Sequence, residues 1–172
     1  LCLNQDGQQV IVGNAEVLAP TEKIKRLKAA LPDFKLSATR KARYEHLLEV
    51  TQGLSAIPMA VAHPCDIESL RGALMARDAG LVNLTLVGPE ERIRALAGQH
   101  QLDLSECKII NVAHSHESAE VAVSLAREGQ VEALMKGSLH TDELMSEVID
   151  KATGLRTARR VSHVFLMDVP TY

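Results

Sequence analysis

From Ile57 onward, apolar runs with the period of a strand alternate with runs of helical period, and this alternation constrains the chain more than any single motif. Strand patterns cover Ile57–Ala62, Leu81–Val87, Lys108–Val112, Val131–Lys136 and Val161–Met167. The first is followed by a helical pattern over Asp66–Ala79, with Asp66 as its N-cap and Ile67, Leu70 and Leu74 facing inward. Gly88-Pro89-Glu90-Glu91 opens the next helix, with proline at its first position, acids in its first turn, and Ile93, Leu96 and Ala97 as its apolar face. A third helix is capped by Ser115, carries Ala119, Ala122, Leu125 and Ala126, and ends at Gly129; a fourth covers Thr141–Ala152. Strands joined by helices imply right-handed crossovers. The expected fold is therefore α/β: a parallel sheet with helices on both faces. Two Phe, two Tyr and no Trp leave its core to Leu, Val, Ile and Ala, which suits a buried parallel sheet.

The segment before Ile57 follows other rules. Cys2-Leu3-Asn4 and Val10-Ile11-Val12 flank Gln5-Asp6-Gly7-Gln8, and Asp-Gly is a strong hairpin turn signal. A lone hairpin is marginal in water, so residues 1–20 read as the remnant of a larger β domain. The chain opens at Leu1, mid-pattern and without methionine, which reads as a cut edge. Residues 21–40 read as a helical linker, with Ile24, Leu27 and Leu31 at helix spacing before Pro32. A further helix is expected from about Thr39 to Gln52, presenting Tyr44, Leu47 and Leu48, and Gly53 caps it. Residues 41–172 then form the α/β domain.

Bulk composition narrows the function classes. Lys plus Arg (19) nearly balance Asp plus Glu (22), so no global charge favours nucleic acid or an anionic membrane. Scarce aromatics argue against single-strand binding. Cys2, Cys65 and Cys107 show no metal spacing and form no even disulfide framework, and a reducing cytoplasm is the expected compartment. No run reaches the length of a membrane span, and no signal peptide opens the chain. GxGxxG, GxxxxGK[ST] and GxSxG are all absent, which removes the support for a dinucleotide fingerprint, a P-loop or a hydrolase elbow.

Chemistry concentrates at Leu134-Met135-Lys136-Gly137-Ser138-Leu139-His140-Thr141-Asp142. A strand ends there, a tight turn follows and a helix begins. Ligands of open α/β sheets bind outside the carboxyl ends of the strands, and free N–H groups at a helix start attract anions. Lys136 offers a point charge, Ser138 and His140 offer donors, and Gly137 permits close approach or positive φ. The competing reading is an ordinary strand-to-helix turn, and Asp142 and Glu143 already complement the positive helix end. Ala62-His63-Pro64-Cys65-Asp66 ends the first strand at the same edge, so His63 is placed to line the same crevice. Cys65 beside a helix N-terminus is open to a lowered pKa, although only His63 is near enough to serve as its base. His114-Ser115-His116 has chelating spacing but no further ligand, so it reads as a loop and no metal site is expected. Arg156, Arg159 and Arg160 read equally as a solvated loop or as a forked anion clamp.

Four of these stretches together carry a resemblance. His63-Pro64-Cys65-Asp66, Leu86-Val87-Gly88-Pro89, Leu134 to Thr141, and Arg160-Val161-Ser162-His163-Val164-Phe165 resemble the phosphate acetyl/butyryltransferase family over roughly residues 42–172. The lysine at position 136 looks closer to the butyryltransferase branch. Asn4 to Pro20 resembles the closing strands of a MaoC-type hydratase domain, and the pairing is similar to bifunctional enoyl-CoA hydratase/phosphate acetyltransferase proteins. The resemblance implies a phosphate acyltransferase or isopropylmalate dehydrogenase-like first domain. It also implies reversible acyl transfer between acyl-CoA and inorganic phosphate, no cofactor, and a homodimeric parent. It places substrate binding on Lys136, Gly137, Ser138, His140 and Thr141, to which the position of His63 at the same sheet edge adds that residue. The family's main acid–base residues map beyond Tyr172, and the arginine that often follows the histidine is Glu147 here. The alternatives are an inactive CoA-binding or oligomerisation module, and an NAD- and metal-dependent dehydrogenase on a related fold.

Overall fold

A computed structural model describes residues 2–3, 9–11 and 42–166 of the chain. The chain divides into two compact units, Leu1–Ala38 and Thr39–Tyr172. In the first, β1 (Cys2–Leu3) pairs antiparallel with β2 (Gln9–Ile11), and the Asp-Gly turn expected between them lies outside the described residues. The linker helix expected around Ile24–Leu31 lies outside the described residues.

The second unit opens with α1 (Ala42–Thr51), after which Gly53 takes φ +86°. Strands β3 (Ile57–Ala62), β4 (Val82–Gly88), β5 (Lys108–Asn111) and β6 (Ala133–Lys136) then alternate with α2 (Ile67–Asp78), α3 (Glu90–Gln99), α4 (Ser115–Arg127) and α5 (Thr141–Ile149). The four strands form one parallel sheet in the order β5-β4-β3-β6. Alternation along β3 sends its side chains to opposite layers. Ala60 and Ala62 pack with Val87, Ala119, Ala122, Val123, Leu139 and Leu144 under α4 and α5. Val61 packs with Leu70, Ala73, Leu74, Leu86, Ile93 and Ala97 under α2 and α3. Helices therefore cover both faces, which is why a chain almost without aromatic residues builds two aliphatic layers. Each fully buried Leu or Ile contributes roughly 1.5–3 kcal/mol by leaving water.

The order of strands fixes where a ligand belongs. From β3 the chain steps outward through β4 to β5, then α4 crosses back and β6 pairs on the other side of β3. The direction reverses between β3 and β6, and their carboxyl ends open a crevice at that switch point.

Local details depart from the sequence reading in four places. Pro89 is the N-cap of α3 rather than its first residue, and the Asn111 side-chain oxygen takes the Glu90 N–H at 2.9 Å. His114, not Ser115, occupies the N-cap of α4, leaving Ser115 as its first residue with its hydroxyl turned to another partner. Helix α5 stops at Ile149 because the Asp150 side chain accepts from Ala152 N, Thr153 N and Thr153 Oγ1, turning the chain out of the helix. Most plainly, residues 161–166 form no strand. Val161, Val164, Phe165 and Leu166 are exposed and join no ladder, so an apolar period without a partner edge yields no strand.

Candidate anion site at the sheet switch point

Two loops meet at the crevice and are joined through their main chains. His63, just past β3, holds φ +56°, a left-handed conformation uncommon for histidine. Its N–H donates to the Val87 carbonyl at 2.7 Å, and its own carbonyl accepts from Cys65 N and Ser138 N, each at 2.8 Å. Gly137 N donates to the Ala62 carbonyl at 2.9 Å. Gly137 is needed here for close approach, not for positive φ. A Cβ at that position would lie 2.5 Å from the His63 oxygen and 2.6 Å from the Ala62 oxygen. The sequence leaves this glycine open to ligand approach or positive φ, whereas here it makes room for the neighbouring loop.

His63, Ser115, Lys136, Gly137, Ser138, Leu139, His140 and Glu143 line a pocket of about 480 Å3. Five of the six residues expected from sequence are thus brought together. Thr141 is the exception: it begins α5 on the exposed side and does not line the pocket. The Lys136 ammonium folds over its own turn, donating to the Leu139 carbonyl at 2.8 Å and the Gly137 carbonyl at 3.1 Å. Its charge stays at the pocket wall while part of its hydrogen-bonding capacity holds the turn. His140 N donates to Glu143 Oε2 at 3.0 Å, so the N-terminus of α5 already has a carboxylate. Glu143 Oε1 accepts from Ser115 Oγ at 3.3 Å and lies 3.2 Å from His116 Nε2, tying α4 to α5. Ser115, Leu139 and Glu143 are the lining residues that sequence reasoning does not select. In sequence Glu143 belongs to a helix start and Ser115 to a cap, and nothing in their spacing shows that they meet.

His63 is a mostly buried part of this wall. It is 8% exposed, and its Nδ1 lies 3.1 Å from Ser118 Oγ, which in turn donates to the His114 carbonyl at 2.8 Å. Burial holds its pKa below the ordinary 6.5, Arg92 and His114 push the same way, and Glu143 opposes them. Cys65 follows the opposite course from the one its helix-start position invited. Burial raises its thiol above the usual range, ahead of a lowering influence from Arg92. It is a packed core thiol rather than an activated nucleophile. His114 and His116 stand at the start of α4, and among the described residues no group of three His, Cys, Asp or Glu side chains is placed to hold a metal ion. Arg156, Arg159, Arg160 and His163 are exposed and line no part of this pocket. A neighbouring crevice at the carboxyl ends of β4 and β5, about 640 Å3, is walled by Glu90, Glu91 and Glu117 against Arg94. Its excess of carboxylates makes it the poorer place for an anion. No described helix is long and apolar enough to cross a membrane.

The molecule is thus a parallel α/β domain with a lysine-, serine- and histidine-lined pocket at its switch point, the class in which anionic ligands are held by turns at the sheet edge. Comparison with known proteins narrows the class. The chain is 54% identical over 129 residues to a phosphate acetyltransferase of Rhizobium meliloti, covering 75% of this chain and 41% of that protein. It is 47% identical over 141 residues to a phosphate acetyltransferase of Rickettsia felis, covering 82% and 40%. A phosphate butyryltransferase of Clostridium beijerinckii is 30% identical over 126 residues, covering 73% and 42%. A solved phosphotransacetylase from Staphylococcus aureus superposes with a TM-score of 0.48 at 19% identity, over 57% of this chain and 39% of that one. No protein-family model matches the chain. The chain is a homologue of the phosphate acetyltransferases and phosphate butyryltransferases. It spans about two fifths of the length of these relatives. Lys136 had pointed toward the butyryl branch, yet identity is higher to the acetyltransferases above than to the butyryltransferase.

Proposed function

We propose that this chain is the phosphate- and CoA-handling part of an acyl-CoA:phosphate acyltransferase. In the proposed reaction a phosphate oxygen attacks the thioester carbonyl, the CoA sulfur leaves, and acyl phosphate forms; the reverse returns acyl-CoA and phosphate. The observation that carries this reading is the 54% identity to the Rhizobium meliloti phosphate acetyltransferase over 75% of this chain. Lys136, Ser138 and His140 supply charge and donors to the anion, Gly137 and Leu139 shape the turn, and His63 lines the same pocket. Thr141 acts through its place in the helix start. Acyl transfer between a thioester and a mixed anhydride exchanges no electrons, so no redox cofactor belongs to the scheme. The reading extends to a cytoplasmic homodimer and to residues 1–20 as the tail of a MaoC-type hydratase domain joined by a linker at 21–40.

The test is release of CoA thiol from acetyl-CoA and butyryl-CoA in phosphate or arsenate. It uses this chain, the Rhizobium meliloti relative, and a chimera in which residues 42–166 replace the matching segment of that relative. An active chimera, with activity reduced about tenfold or more by Lys136→Ala with His140→Ala, is the expected result. A chimera that folds and binds CoA but transfers nothing would favour a binding module instead.

A further inference from the structure

His63 lines the same pocket as the donors Lys136, Ser138 and His140. The His114 carbonyl can only accept, so the Ser118 hydroxyl proton is committed to it at 2.8 Å. His63 Nδ1, 3.1 Å from the same hydroxyl oxygen, must then bring its own proton. A neutral imidazole protonated at Nδ1 carries a lone pair at Nε2. Among the described residues nothing pairs with that nitrogen, and it is not sealed from solvent. The ring cannot easily turn to change this. Ser118 is fully buried, His63 is more than nine-tenths buried, and its backbone is tied to Val87, Cys65 and Ser138. Burial and Arg92 favour the neutral form, against Glu143; Lys136 and His140 are the other charged or titratable groups on the pocket wall. Glu143 is not an equivalent acceptor, because both of its oxygens already face Ser115, His116 or His140 N.

We propose that the pocket selects an oxyanion that still carries a proton: Lys136 and Ser138 donate to its bare oxygens while His63 Nε2 accepts from its P–OH. This deepens the acyltransferase reading and rests on it, since it names the protonation state of the phosphate bound at the same site. Hydrogen phosphate and arsenate meet the requirement. Sulfate, of the same shape, has no proton to give, so one oxygen faces a lone pair and a polar group is left unpaired. Sites built on such a hydrogen bond reject isosteres that cannot make it.

Calorimetric titration of the 172-residue chain with sodium phosphate and sodium sulfate tests this. At about pH 8 the two ions carry nearly the same charge and differ chiefly in the proton. Phosphate is expected to bind at least about tenfold more tightly. The variant for comparison is His63→Asn. Asparagine tolerates positive φ, and its amide N–H reaches toward Ser118, leaving nothing at the Nε2 position. The phosphate-to-sulfate ratio should fall toward one, mainly through lost phosphate affinity. Equal affinities in the unaltered chain, or an unchanged ratio in the variant, overturn the inference and leave the anion pocket standing. Failure of both ions to bind overturns the pocket and the inference together. Long-range 1H–15N NMR of the unaltered chain gives a readout that does not depend on any variant folding. It should show the Nδ1-protonated tautomer, with Nε2 shifting on phosphate and not on sulfate. An Nε2-protonated ring would end the proposal.

Discussion

Gly137 shows how little freedom one position has when two loops share their backbones. The atoms nearest an added Cβ are the carbonyl oxygens of Ala62 and His63, both main chain and both engaged in hydrogen bonds. Neither can swing aside as a flexible side chain would. Gly137→Ala is therefore expected to cost about 1–3 kcal/mol, the range for forced overpacking. It should lower the melting temperature and loosen the pocket. An alanine variant as stable as the parent, by thermal denaturation, would show that the loops part easily. At this scale the sequence was informative about identity and poor about cause. Lys136, Ser138 and His140 were legible because charge and donors after a strand have a plain chemical meaning. The use of Lys136 to hold its own turn was not legible, since a lysine's reach to carbonyls one and three residues on depends on the turn it holds. Nor was the contact between Ser115 and Glu143, whose helices meet only in the folded sheet.

Helix α2 illustrates the element scale. Its N-cap is Asp66, as residue type and position lead one to expect, and it accepts from Ser69 N at 2.9 Å and from Ser69 Oγ at 2.6 Å. Burial acts to raise the Asp66 pKa, but the Ser69 and Glu68 hydrogen bonds and the nearby Lys136 outweigh it and hold it below the ordinary 3.8. The sign follows from that direction. A carboxylate whose folded pKa is depressed stabilises fully above its unfolded value, and the benefit disappears as pH falls through the folded value. Asp66→Ala should cost about 1 kcal/mol near neutrality. The gap between parent and variant in urea denaturation should narrow steadily below about pH 4. A gap that stays constant into strong acid would mean the cap does not act through its charge. Helix boundaries were harder to read than helix existence. Asn111, distant in sequence, serves the start of α3, and Asp150 ends α5 before its apolar period runs out.

Across the whole domain, alternation of period specified the layers. Two aliphatic clusters lie on opposite faces of β3 because its residues alternate, and that pattern was visible in six residues of sequence. The strand order was not visible, because adjacency is decided by which crossover packs best once all layers exist. The same limit explains residues 161–166. They have strand composition, but composition supplies no partner, and here they stand exposed. Native-state hydrogen exchange should separate the two cases. Amides of β3 and β4, paired on both sides within the sheet, are expected to exchange slowest, and amides of residues 161–166 close to the unprotected rate. Strong protection over 161–166 would show that they join a sheet edge in solution.

The join between His63 and Ser138 also has a consequence in time. Three helices and three strands separate the two residues along the chain, yet their backbones bond directly. Contacts of such long range must wait for the intervening loops to close. The sheet can grow through β3, β4 and β5 from neighbouring pieces, but the pocket floor comes into being only when β6 arrives. The switch-point pocket is therefore among the last features this domain acquires as it folds, and a chain caught short of that step would be ordered over most of its core with the pocket still unformed.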